Sequence, residues 1–182
     1  MRMLRMRIPM DFTLDYYENQ ISLTLEANDL NQEARVRVNV FRKDGGLYTP
    51  LSNEINFIIE VTALPKYSDE LIEIELYKDF PVASGLLSTI KTNNRMVNIL
   101  GSIYAKENEL DNCLLLNNQK HVVEALNANI FLVKGNTIKT PPLSDGCIKG
   151  VMRKQIVDII KLLPDFTIEE SQISPFELQQ AD

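Results

Sequence analysis

Tryptophan is absent from the 182 residues, histidine occurs once and cysteine twice. Cys113 and Cys147 lack a metal-ligand spacing, and His121 has no partner nearby in the sequence. That argues against a zinc centre and against a Cys–His nucleophile pair. Two reduced thiols fit an intracellular, cytoplasmic protein. No apolar run approaches the roughly 18 residues of a membrane span. Basic side chains are outnumbered, 19 against 25, which leaves a net charge of −6. That balance argues against a partner recognised by its phosphate backbone, but it leaves room for one local anion site. Nucleic acid and membrane are therefore not expected partners.

The N-terminal stretch MRMLRMRIPM has the arginines of a targeting peptide and no acid before Asp11. It lacks a continuous apolar segment, serine enrichment and a cleavage-like site, so it reads as an amphipathic helix turn ended by Pro9.

What remains is an ordinary globular composition, 45% hydrophobic and 24% charged, in a chain long enough for a real core. Thr13 is placed to cap a helix running to about Asn28, with Leu14, Tyr17, Ile21 and Leu25 on one stripe. ARVRVNVF (34–41) alternates strictly, the turn KDGG follows it, and the apolar runs INFIIEVTAL and LIEIELYKDF read as further strands. Arg35 and Arg37 share a strand face, which is either solvated or walls a cleft that takes a carboxylate. Met96, Ile99, Leu100, Ile103 and Tyr104 keep helical spacing. CLLLN, HVVEAL, NIFLVKG and NTIKT follow as short strands joined by the turns NNQK and KGN. A helix begins after Gly150, and SPFELQQAD reads as a Ser-capped turn. The polar, proline-containing break ALPKYSD (63–69) divides an α/β lobe, residues 1–65, from a larger lobe, residues 66–182. The expected fold class is α+β with two lobes.

Three features of the second lobe fit one another. Lys91, in STIKTNNRM (88–96), lies between an apolar approach and a helix. A lysine amine acts as a nucleophile, or holds an imine, when partial burial favours its neutral form. Glu124 stands in the otherwise apolar strand HVVEAL, where a carboxylate requires a cation or a strong donor. GCIKGVMRKQI (146–156) is a glycine-flanked loop opening a helix, and the N–H groups of Val151 and Met152 there suit a phosphate. A lysine, a buried carboxylate and a phosphate-binding helix start are what pyridoxal 5′-phosphate requires. Taken singly, each has an ordinary structural explanation.

From about Leu86 to Leu163 the chain resembles the class IV aminotransferase family, the fold-type IV pyridoxal-phosphate enzymes. The run EALNANIFLVKGNTIKTPPLSDGCIKGVMRKQI places Glu124, Asn129, Phe131, Gly135, Thr140, Pro141, Gly150 and Arg153 in register with that family's signature. KTNNR matches its Schiff-base segment. The resemblance implies a D-amino-acid-aminotransferase-like fold, with Lys91 as the Schiff-base lysine and Glu124 as the pyridine-nitrogen partner. It implies that Ile148 packs on the cofactor ring and that Val151 and Met152 offer backbone N–H groups to its phosphate. Met152 replaces the family's commoner threonine, and Ala125 and Leu126 replace a glycine- and serine-rich run. Asn129 is expected to order the loop. RVRVNVFRKDGG resembles the family's small-domain strand, which puts Arg37 near a position that meets a substrate carboxylate in some members.

The resemblance further implies a small amino-acid-like substrate and a homodimer. KTNNR and GVMR are similar to aminodeoxychorismate lyase, which yields 4-aminobenzoate and pyruvate for folate synthesis. A branched-chain or D-amino-acid aminotransferase is the alternative, and a non-catalytic remnant another. The family's opening strands, with a Gly-Asp-Gly-Phe-Glu-like segment and a phosphate-gripping arginine, have no counterpart. Neither does its later strand with a Thr-Asn pair. The chain is therefore expected to be short at both ends.

Overall fold

A computed structural model describes residues 7–9, 13–30, 33–65 and 72–182. The chain divides into two compact units, Met1–Asp69 and Glu70–Asp182. The helix turn expected over residues 1–9 and the break at 63–69 fall partly outside the described residues.

In the first unit, helix α1 spans Leu14–Ala27, and the Thr13 side chain accepts a hydrogen bond from the Tyr16 N–H, as an N-cap should. Strands β1 (Ala34–Arg42) and β2 (Ile55–Ala63) pair antiparallel over their whole length. Tyr16 and Tyr17 both meet Phe57 of β2 edge-on, with ring centroids 6.0 and 5.3 Å apart. These aromatic contacts hold α1 against the ribbon.

The second unit contains two three-stranded sheets. Strand β3 (Ile74–Val82) runs parallel to β4 (Asn112–Asn117), so the chain needs a crossover, which helix α2 (Met96–Glu107) supplies. β4 then pairs antiparallel with β5 (Val122–Ala125) through the expected turn, and Leu115 lies opposite Glu124. The second sheet is ordered β6–β7–β8. β6 (Leu132–Lys134) and β7 (Thr137–Thr140) form a hairpin, and helix α3 (Val151–Ile160) crosses to β8 (Thr167–Glu170), parallel to β7.

Strand β8 was not foreseen, because TIEE carries one apolar residue in four and shows no alternation. Its state is decided by pairing with β7 and by the Arg153 guanidinium, which donates to Glu170 at 2.9 Å. The tail is a 3-10 helix, Pro175–Gln180, with a full capping box between Ser174 and Glu177.

Two clusters fill the core of this unit. Tyr77, Ala105, Cys113, Leu115, Val123 and Cys147 form one, beneath α2. Leu114, Val122, Ala125, Leu132 and Ile173 form the other, joining the two sheets. Among the described residues, no helix is long and apolar enough to cross a membrane. Leu115 is fully buried beside the strand that carries Glu124. Leu115→Ala should therefore lower the unfolding free energy by about 2–5 kcal/mol in urea titrations. A loss below about 1 kcal/mol would mean that this centre is not close-packed.

Candidate active site

Glu124 organises the site. Both faces of β5 are covered, so Val122, Val123 and Glu124 are buried although the pleat sends successive side chains to opposite sides, and Glu124 is only 3% exposed. Its Oε2 accepts the Ile148 N–H at 2.8 Å, and Arg95 Nη1 lies 3.6 Å from Oε1. Burial pushes the Glu124 carboxyl above its ordinary value, while the Ile148 N–H, the Arg95 guanidinium and the Lys91 ammonium each pull it back down. Both kinds of partner that a buried acid requires, a strong donor and cations, are thus present.

Ile148 is fixed by its own loop. Gly146 takes a φ of +112°, a left-handed backbone that favours glycine, and its N–H returns to Leu143 O. The Asn129 side chain donates to Ile148 O at 2.9 Å, so it orders this loop as expected. A Cβ on Gly150 would lie 2.2 Å from Asn129 Oδ1, so this position has room only for hydrogen. Helix α3 starts directly after Gly150 without a side-chain cap, which leaves its first-turn amides to other acceptors. Buried Arg153 donates to Pro141 O at 2.8 Å as well as to Glu170, locking the first turn of α3 in place.

The lysine loop joins this assembly through its backbone, because the Lys149 N–H donates to Thr89 O at 2.9 Å. Lys91 itself is exposed, as are Val151 and Met152, while Ile148 is half-buried. The second unit therefore gathers Lys91, Glu124, Ile148, Val151 and Met152. Arg37 belongs to the first unit, where it is exposed and lies 3.7 Å from Glu60, its partner across the β-ribbon.

Two pairings escaped the sequence. Arg95 is the closest cation to Glu124. It stood in KTNNR, and the demand of a buried acid for a cation was a signal that some basic residue must reach Glu124, without marking which. His121, without a neighbour to pair with in the sequence, meets Asp145 in the fold, Nδ1 to Oδ2 at 3.5 Å. Cys147 is a buried packing thiol, which burial pushes up to about 11. An apolar groove of about 450 Å³ between β3, β4 and β6, lined by Leu76, Leu114, Ile130 and Leu132, includes none of the site residues.

The class IV aminotransferase family model matches residues 1–182. This chain belongs to that family. Class IV relatives include a chloroplastic branched-chain amino acid aminotransferase 2 of Humulus lupulus, 31% identical over 138 residues, covering 71% of this chain and 33% of the relative. Aminodeoxychorismate lyase of Vibrio harveyi is 30% identical over 97 residues, covering 53% of this chain and 35% of the relative. The pyridoxal-phosphate form of the branched-chain aminotransferase from Thermobaculum terrenum superposes with a TM-score of 0.84 at 20% identity, over 98% of this chain and 60% of that one. The chain spans about a third of the length of the relatives it matches. The fold is that of the class IV enzymes, as the sequence led us to expect.

Two outcomes test the geometry. Because the folded state holds the Glu124 proton more tightly than the unfolded state does, stability should fall as pH rises through the raised folded value. Melting curves taken from about pH 4 to pH 8 should show this decline for the wild type and a flatter profile for Glu124→Gln. Identical profiles would contradict the burial. Gly150→Ala should cost about 1 kcal/mol or more by displacing Asn129 from Ile148 O, and much less when introduced into Asn129→Ala. Strict additivity in that cycle would contradict the contact.

Proposed function

We propose that the chain is a pyridoxal-5′-phosphate enzyme with the activity of an aminodeoxychorismate lyase. The observation that supports the cofactor is Glu124, a buried carboxylate held by the Ile148 N–H and flanked by Arg95 and Lys91. Its neighbour is an uncapped helix start, where the absent side chain of Gly150 accommodates Asn129. These residues fit the cofactor. A carboxylate suits a protonated ring nitrogen, and the first amides of α3 suit a phosphate dianion.

When bound, the cofactor withdraws electrons from the carbon that carries the substrate amine. Glu124 holds a proton at the ring nitrogen. The Val151 and Met152 N–H groups bind the phosphate, and Ile148 packs against the ring. Lys91 Nζ would hold the cofactor and would carry the proton removed from the substrate α-carbon. In the lyase reaction, loss of that proton would precede cleavage of the ring–oxygen bond of the enolpyruvyl ether; the ring becomes aromatic as enolpyruvate leaves, and enolpyruvate takes up a proton to give pyruvate. Arg37 is assigned the substrate carboxylate. KTNNR and GVMR favour the lyase, and with it a place in folate synthesis. The longer match to a branched-chain aminotransferase supports the second reading, transfer of an amino group to a 2-oxo acid. A D-amino-acid aminotransferase uses the same residues, and a remnant without turnover is the reading that the experiment must exclude. We further assign the protein to the cytoplasm, as a homodimer of two lobes divided near residue 65.

Incubating the protein with pyridoxal phosphate and reducing with borohydride should fix one phosphopyridoxyl group on the Lys91 peptide, detected by mass, and none in Lys91→Ala. An unlabelled wild type would overturn the assignment. Pyruvate release from aminodeoxychorismate, without amine transfer to 2-oxoglutarate, then identifies the lyase. The opposite pattern identifies an aminotransferase.

A further inference from the structure

Arg95 occupies a position that local helix chemistry disfavours. It is the N-cap residue of α2, makes no side-chain capping hydrogen bond, and has no acidic residue after it in the first turn. Ser, Thr, Asp or Asn there would satisfy an orphan N–H and contribute about 1 kcal/mol, whereas a guanidinium places positive charge at the positive end of the helix dipole. Departures of this kind concentrate at functional sites. The side chain folds inward to 23% exposure, its Nη1 lies 3.6 Å from Glu124 Oε1, and Nη2 is buried without a hydrogen-bond partner.

We propose that Arg95 is a positioning residue, whose guanidinium keeps the Glu124 carboxylate ionised and oriented toward the cofactor ring. The inference rests on the reading of Glu124 given above. Three groups stabilise the Glu124 charge, and they are not equivalent. The Ile148 N–H is neutral and is taken by Oε2. The Lys91 ammonium is exposed, hence screened, and its charge is the one that the reaction alters. The Cys147 thiol, the other titratable group beside Glu124, is a protonated packing group. Only the Arg95 charge is permanent, partly desolvated and placed at Oε1. Without it, burial is opposed by less, the Glu124 carboxyl is raised further, and Glu124 competes for the proton that it should leave on the ring nitrogen.

The full-length, cofactor-free protein tests this separately from the cofactor assignment. The Glu124 side-chain carboxyl is followed against pH by 13C NMR, with its signal identified by its loss in Glu124→Gln. Arg95→Ser should raise the titration midpoint by about one pH unit or more, a tenfold gain in proton affinity, and Arg95→Lys should largely restore it. Serine is also the better cap, so Arg95→Ser should be at least as stable as the wild type below the midpoint and less stable above it. A Glu124 midpoint that does not differ between wild type and Arg95→Ser would overturn the proposal. Because Lys91 labelling is read independently, an unmoved midpoint with intact labelling refutes Arg95 alone.

Discussion

A carboxylate at 3% exposure must be compensated or neutralised, and the second unit is arranged around meeting that demand at Glu124. Its partners come from two segments far apart in sequence. The lysine loop brings Lys91 and Arg95, and the glycine loop brings the Ile148 N–H. Neither loop is fixed by regular structure, so each is held by specific hydrogen bonds. Thr89 O receives the Lys149 N–H, and Asn129 holds Ile148 O. The left-handed turn at Gly146 seats the loop against Val82, Ala83 and Ser84, and the absent side chain at Gly150 leaves space for Asn129.

Behind the glycine loop lies a second polar layer. Asp145 O accepts from Ser84 Oγ at 2.9 Å and from Asn117 Nδ2 at 3.1 Å. The Asp145 carboxylate faces His121, and Cys147 packs at the base of the loop. A loop supported in this way presents its amides without reorganisation, which is what recognition of an anion and a charged ring requires. Arg153 extends the same support into α3 and β8, tying the start of α3 to Pro141 and Glu170.

Much of this was legible in the residues. One acid in an apolar strand is an energetic anomaly visible without coordinates, and so is a glycine that opens a helix. The helices declared themselves through period and, for α1, through Thr13. The contacts that fix the site were not legible, because β5 and the loop before α2 meet only through tertiary packing. Glu124 demanded a cation, and nothing in the spacing distinguished Arg95 from the other basic residues. Lys91 was expected to be partly buried, yet its side chain is exposed, and its charge is among those that lower the Glu124 carboxyl. His121 found Asp145 only because the turn between β4 and β5 reaches the 3-10 segment at Leu143–Asp145.

The central claim is that Glu124 sets the protonation of a pyridine ring. The 15N chemical shift of ring-labelled pyridoxal phosphate bound to the protein reports it directly. The account predicts a protonated ring nitrogen in the wild type and an unprotonated one in Glu124→Gln. An unprotonated nitrogen in the wild type, or the same shift in both proteins, would contradict it.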